Sequence, residues 1–201
     1  MKKTLLVLIA GFSIATARAQ FQFGVKAGVN RSNITGFNFT WPYHGMYNYN
    51  VGVFAVLPIA KFVSFSPELL YDRKGGQNPE AGVHEWIHDD YLDIPLMIRY
   101  TDKSGLHIET GPQIGFLLSF KGQFQTDVFP KSEFNSYEIA WTFGLGYDIP
   151  HTPIGIDFRY DLDMSSLTKS AYQPPSSPLA DVMHNSLLQL DVRYILFKGH
   201  Q

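Results

Sequence analysis

Tyr137-Glu138-Ile139-Ala140-Trp141-Thr142-Phe143-Gly144-Leu145-Gly146-Tyr147-Asp148 alternates large apolar side chains with polar or small ones along its whole length. Successive side chains of a β-strand point to opposite faces. Tyr137, Ile139, Trp141, Phe143, Leu145 and Tyr147 therefore share one face, opposite Glu138, Thr142, Gly144, Gly146 and Asp148. At the 3.6-residue period of a helix the two sets would mix. The stretch reads as a strand with one greasy side and one polar side.

The pattern recurs on either side of it. Phe21, Phe23, Val25, Ala27 and Val29 alternate with Gln22, Gly24, Lys26, Gly28 and Asn30. Val51, Val53, Ala55 and Leu57 share a face, as do Val63, Phe65, Leu69 and Tyr71. Leu92, Ile94, Leu96, Ile98 and Tyr100 oppose Tyr91, Asp93, Met97 and Arg99. Leu106, Ile108, Ile114, Phe116, Leu118 and Phe120 oppose His107, Glu109, Gly111, Gln113, Gly115 and Ser119. Ile154, Ile156, Phe158, Tyr160 and Leu162 oppose Gly155, Asp157, Arg159 and Asp161. Leu188, Leu190, Val192, Tyr194 and Leu196 oppose Gln189, Asp191 and Arg193. With the opening stretch these are eight strands, an even number.

The links between them alternate. Short ones fall around Ala60-Lys61, at Asp102–Gly105 and at Pro150–Pro153. Long ones run over about Thr35–Asn48, Gly75–Glu85, Gly122–Glu133 and Lys169–Val182. Short periplasmic turns and long outer loops mark bacterial outer-membrane barrels. The first link is long, so both termini are expected to be periplasmic. The expected fold is an all-β, eight-stranded antiparallel up-and-down transmembrane β-barrel. The competing arrangement is a soluble sandwich, in which the polar faces meet water and the apolar faces pack together.

The polar faces carry Lys26, Arg99, Arg159 and Arg193 together with Glu68, Asp93, Glu109, Asp157 and Asp191. In a barrel these charges point into the lumen and pair there. An eight-stranded barrel has an interior that side chains just fill, or that holds one small ligand. The inward glycines leave space for a narrow pathway or a small pocket. Aromatics gather toward the strand ends: Phe21, Phe23, Tyr100, Tyr147 and Tyr194 at one, Tyr49, Tyr71, Phe120 and Tyr137 at the other. Two such belts fit the two interfaces of a membrane. Pro67, Pro95 and Pro112 fall inside strands that a barrel must pair on both sides, so bulges are expected there.

Lys2 and Lys3, an apolar run from Leu5 to about Ala17, and the small-x-small site Ala17-Arg18-Ala19 have the layout of a secretory signal peptide. Residues 1–19 are the expected signal peptide and 20–201 the outer-membrane domain. The alternative is a retained anchor, for which the apolar run is short. Removing Lys2, Lys3 and Arg18 from the 16 basic residues leaves 13 against 18 acidic ones, a net charge of about −5. No basic excess favours nucleic acid. The absence of cysteine excludes disulfides, thiolate-bound zinc and thiol catalysis. Mean hydropathy is slightly negative, which suits a barrel in which only alternate residues face lipid.

The ordered motifs resemble a family. They are Gly24-Val25-Lys26-Ala27-Gly28-Val29-Asn30 with Ser32, and Pro67-Glu68-Leu69-Leu70-Tyr71 leading to Lys74-Gly75. They continue with Tyr91-Leu92-Asp93-Ile94-Pro95-Leu96 through Tyr100, then Gly111-Pro112-Gln113-Ile114-Gly115, Gly144-Leu145-Gly146-Tyr147, and Asn185-Ser186 before the last strand. Together they resemble the PorT-like outer-membrane β-barrel domain of Bacteroidetes, over nearly the whole mature chain. The resemblance implies the fold and the outer membrane. The family's namesake acts in protein secretion and gliding, but the domain carries no common activity and no catalytic residues.

Two constellations invite an enzymatic reading. His84-Glu85-Trp86-Ile87-His88 spells H-E-x-x-H, a zinc-protease signature that requires a helix to bring both histidines onto one face. Here Gly82 precedes it and Asp89-Asp90-Tyr91 leads into a strand. In an extended chain the histidines stand about 13 Å apart, too far to share one zinc. Asp181, His184 and Ser186 lie near the start of the last strand, but no G-x-S-x-G accompanies them. No catalytic, cofactor-binding or metal-binding residue is therefore expected, and the chain is not expected to be an enzyme. The expected role is structural or interactive within the envelope, accessory to protein export, with outer-membrane lipid and envelope or secretion proteins as partners. The alternative is a barrel that handles a small ligand or lipid, with a lipid-modifying enzyme as a variant of it. Trp41, Tyr43, Tyr47 and Pro174-Pro175 are candidate partner contacts in the outer loops.

Overall fold

The computed structural model describes residues 21–36, 44–78, 85–124, 127–128, 135–165 and 183–199. The expected signal peptide, Trp41, Tyr43, His84, Pro174, Pro175 and Asp181 lie outside these residues. The strands are β1 (Gln22–Gly36), β2 (His44–Pro58), β3 (Val63–Asn78), β4 (Glu85–Thr101), β5 (Leu106–Phe124), β6 (Asp127–Val128), β7 (Tyr137–Asp148), β8 (Ile154–Asp163) and β9 (Met183–Lys198). Each long strand pairs antiparallel with its neighbour in sequence, and β1 closes the circuit on β9. β6 is a two-residue addition to the tip of β5. The eight long strands form a closed up-and-down barrel.

Closure explains why the alternation is so regular. A spanning sheet must pair every backbone group within itself, and only a closed sheet has no edge. Along β8 the side chains alternate outward and inward without exception. Ile156, Phe158, Tyr160 and Leu162 stand outside, and Asp157, Arg159 and Asp161 are buried inside. The outward row of β7 runs from Tyr137 to Tyr147, ten residue steps. At about 3.3 Å per residue and a tilt near 40°, the row covers about 25 Å along the barrel axis, the height of the apolar band of such barrels.

The turns 59–62, 102–105 and 149–153 lie at one end with Phe21 and Gly199. At β4–β5, Gly105 takes φ +95°, a conformation that side chains disfavour. Asp102 Oδ1 accepts hydrogen bonds there from Ser104 N (2.7 Å) and Ser104 Oγ (2.6 Å). These bonds, the side-chain one foremost, hold its carboxyl below the ordinary range. The opposite end carries the links that are long in sequence. There β3, β4 and β5 extend beyond the stretches whose alternation marked them, through Asn78, from Glu85 and to Phe124.

Two expectations need correction. The prolines create no bulges. On β2–β3 the pairing lapses between Phe54–Glu68 and Leu57–Phe65 and resumes in the same register. The same happens between Pro67–Leu96 and Leu70–Asp93, and between Pro95–Gln113 and Ile98–Thr110. A proline deletes a donor without adding a residue, so the ladder opens locally without slipping. Beside Pro67, Ser66 Oγ donates instead to the Ala55 carbonyl at 2.9 Å. One register shift does fall on β4–β5 toward the end with the long links, where Asp90 pairs with Ser119 and Tyr91 with Leu117. Leu118 is the extra residue, and beyond it the faces exchange. Phe120 consequently leaves the outward row and packs against buried Tyr91 and Leu117.

Candidate functional site: the charged interior

Eight inward rows meet in the lumen, and their residues are mostly ionisable or amide-bearing. Arg159 of β8 lies at the centre. Its Nη1 and Nη2 donate to Glu68 Oε2 and Oε1 of β3 at 2.8 and 2.6 Å. Its Nε donates to Glu109 Oε1 of β5 at 2.6 Å. The second oxygen of Glu109 accepts from Arg99 Nε and Nη2 of β4 at 3.1 and 2.9 Å. Lys26 of β1 reaches Glu68 at 3.1 Å, Asp191 at 3.2 Å and Asp157 at 3.4 Å. Asp157 also meets Arg193 Nε at 2.7 Å and His107 Nε2 at 3.0 Å. All of these side chains are buried. Buried charges persist only when paired and hydrogen-bonded, and this network ties six strands together across the bore.

A second cluster lies toward the end with the long links. Lys74 Nζ pairs with Asp93 (3.0 Å) and with Glu138, over the ring of Tyr91. Gln113 Nε2 donates to Asp93 Oδ2 at 3.0 Å. Asn30 Nδ2 and Gln189 Nε2 donate to the two oxygens of Asp72 at 2.5 and 2.7 Å. Ser32 Oγ accepts from Gly75 N (2.9 Å) and donates to Gly75 O (2.6 Å). Gly75 has φ +148°.

Three inward glycines face occupied space. A Cβ on Gly115 would strike Asp93 and Glu138, one on Gly144 would strike Glu109, and one on Gly146 would strike His107 and Asp157. Each of these three glycines makes space that a polar or charged side chain from a neighbouring strand occupies. Sequence alternation placed Lys26, Glu68, Asp93, Arg99, Glu109, Asp157, Arg159, Asp191 and Arg193 inside, and all are buried. It gave no signal for Phe54, Val56, Leu70 and Leu187, which also face inward and are buried. On β2 both faces are apolar, so periodicity alone cannot orient the strand. Phe54 pays its way by stacking under Arg193, 5.2 Å from ring centre to guanidinium carbon.

Parts of the enzymatic motifs fall among the described residues. Residues 85–88 form the start of β4, paired with Gly75–Asn78 of β3, so this part of H-E-x-x-H is extended where zinc chemistry requires a helix. The rings of Trp86 and His88 meet on the outward side at a tilt of 51°, with centres 4.9 Å apart. Ser186 Oγ donates to the Asn33 carbonyl at 3.5 Å across the β1–β9 seam. His107 and Asp157 form a pair of the kind that orients a general base, but both are buried within the ion network. Among the described residues no three His, Asp or Glu side chains converge as metal ligands would.

The family model described as "Outer membrane protein beta-barrel domain" matches residues 13–170. The solved structure of Neisserial surface protein A is similar to this chain at 10% identity and a TM-score of 0.55, covering 86% of this chain and 96% of that one. The attachment invasion locus protein Ail of Yersinia pestis is similar at 13% identity and a TM-score of 0.52, covering 88% and 99%. At such identities the likeness is one of fold. No curated protein sequence matches the chain.

Proposed function

Because the chain belongs to the outer membrane protein β-barrel domain family, we propose that it is a non-enzymatic envelope protein whose barrel is a closed, ion-plugged membrane anchor. Its work lies in what the rims and outer loops touch. The protein is an outer-membrane β-barrel; the finer reading is that it is of the PorT-like, Bacteroidetes type, exported by a signal peptide cleaved after Ala19. Its short turns and both termini then lie in the periplasm, its long links face outward, and an accessory role in protein export is the specific task the resemblance implies.

One observation carries the proposal: the buried Glu68–Arg159–Glu109–Arg99 chain, with Lys26 and Arg193 beside it. A conducting pore keeps its lumen charges hydrated and apart, whereas here they neutralise one another across the bore. The alternative, a ligand-handling lumen, would need the space these side chains occupy. Planar-bilayer recording of the purified, refolded protein tests this. The expected result is no steady single-channel conductance from the parent. A stable ohmic conductance from the parent would overturn the plugged-anchor reading.

A further inference from the structure

Several inward glycines sit between two long side chains of the flanking strands. Gly144 lies opposite Glu109 of β5 and Arg159 of β8, Gly146 opposite His107 and Asp157, and Gly155 opposite Asp148 and Arg193. Alternate strands of a sheet lie about 10 Å apart, so the two side chains lean inward and meet over the glycine. At these positions the meeting joins an acid to a base. Gly115 differs. Its partners are Asp93 of β4 and Glu138 of β7, and Asp93 Oδ1 and Glu138 Oε1 share the space over it. Two carboxylates meet there, and the cation that bridges them, Lys74, comes from β3.

Charge around this pair is one-sided. In the first network Lys26, Arg99, Arg159 and Arg193 match Glu68, Glu109, Asp157 and Asp191 one for one. Toward the long links, Asp72, Asp89, Asp161 and Asp163 are buried together with Asp93 and Glu138. Asp89 is within electrostatic reach of Glu138, Asp161 of Asp93, and Asp163 of both. Lys74 is the one inward cation of this cluster among the described residues. A second observation is independent of that count. Asp161 is 4% exposed, and apart from Thr142 beside it neither of its oxygens has a hydrogen-bond partner. Thr142 is fully buried and has no other partner either. Asp93 Oδ1, Glu138 Oε2 and the Asn30 amide oxygen accept no hydrogen bond. The unpartnered inward atoms of the cluster are all oxygens. Buried lone pairs in such number call for a cation, not an anion.

We infer that this cluster binds a hard divalent cation of the calcium type. Asp93 and Glu138 supply the two carboxylates over Gly115. Asp161, Thr142 and water complete the shell, since no three carboxylates converge on their own. Calcium accepts about 6–8 oxygen ligands in flexible geometry, mixing carboxylate and neutral oxygens with water, whereas magnesium demands a near-ideal octahedron. No inward histidine belongs to the cluster among the described residues, so its donors are oxygens alone and disfavour zinc. Lys74 acts as a tethered competitor, because its ammonium bridges the same two carboxylates. The ion lies within the plug and needs no pathway through the barrel.

The test is equilibrium dialysis of the full barrel, refolded in a non-ionic detergent and washed with chelator, against calcium chloride at neutral pH. Urea midpoints are measured in parallel. The parent is expected to hold about one calcium per chain at submillimolar concentration. Its midpoint is expected to rise with calcium, as for any ligand of the folded state, and not with sodium chloride of equal ionic strength. Asp93→Asn together with Asp161→Asn is expected to weaken binding by about tenfold or more, and Lys74→Met, which removes the competitor, to tighten it by a similar factor. No retention by the parent at millimolar calcium, or undiminished retention in the double variant, would overturn the inference. So would a midpoint that rises equally with sodium chloride, or a folded Lys74→Met barrel that binds no more tightly than the parent. Should the double variant fail to fold, Thr142→Val, which keeps the volume, must weaken binding severalfold. Should Lys74→Met fold poorly, calcium chloride must restore its folding where sodium chloride does not.

Discussion

Arg159→Leu is the most informative single change in the lumen. It removes three hydrogen bonds of 2.6–2.8 Å and leaves Glu68 and Glu109 facing each other in a buried space. Lys26 remains to Glu68 and Arg99 to Glu109, so each acid keeps one cationic partner and loses its other. Breaking a buried pair by removing one partner costs about 3–5 kcal/mol. With residual partners in place we expect the lower end, about 3 kcal/mol, or roughly two powers of ten in the folding equilibrium. At a urea slope of about 2 kcal/mol/M this lowers the midpoint by about 1.5 M. The assay is urea titration of the barrel refolded into phosphatidylcholine vesicles, followed by tryptophan fluorescence and by gel mobility without heating. Adding Glu68→Gln to Arg159→Leu should recover about 1 kcal/mol, since one of the uncompensated charges is gone and contacting residues couple by about 0.5–3 kcal/mol. A loss below about 1 kcal/mol for Arg159→Leu, with no recovery in the double variant, would mean that water fills the bore and that the ion chain does not close it.

Four further outcomes are expected. Leu145→Arg and Ile94→Arg, both on the outward face, should each cost about 2–4 kcal/mol in the same titration, as arginine near the bilayer midplane does; a silent result for both would invert the assignment of faces. Gly146→Val should destabilise by about 1–3 kcal/mol through overpacking, because His107 and Asp157 already occupy the space its side chain needs, and unchanged stability would show that the lumen has slack. His84→Ala, Glu85→Gln and His88→Ala together should fold and insert as the parent does, with no stoichiometric zinc by elemental analysis of the parent; one tightly bound zinc per chain, together with a peptidase activity lost in Glu85→Gln, would refute the non-enzyme reading. Cell fractionation should find the mature chain in the outer membrane, beginning near Gln20 and shifting mobility on heating, whereas abundant soluble periplasmic protein would contradict the membrane assignment.

The motifs that carry the family resemblance acquire a physical meaning in three dimensions. Lys26, Asn30 and Ser32 of the first motif meet Glu68, Asp72 and Gly75 in and beside the second. Lys74 meets Asp93 of the third, and Gln113 of the fourth meets the same carboxylate. Gly144 and Gly146 of the fifth make room for Glu109, His107 and Asp157. What reads along the chain as separate short signatures is one connected lumen network, assembled from residues on different strands.

Amino-acid order alone was enough for the strand count, the face of most strands and the alternation of short and long links. Those properties follow from a period of two and from turn chemistry, which are local and leave their mark within ten residues. It was not enough for β2, whose inward Phe54 and Val56 are as apolar as its outward Val53 and Ala55, nor for Phe120, which one extra residue at Leu118 turns inward. It also misjudged the prolines, because whether a missing donor produces a bulge or a gap depends on the neighbouring strands' ability to hold register. Which acid meets which base, and whether the bore is open or filled, was decided only by closure. The stagger of strands around a closed barrel sets the lumen partners, and that stagger is a property of the whole circuit that no single strand encodes.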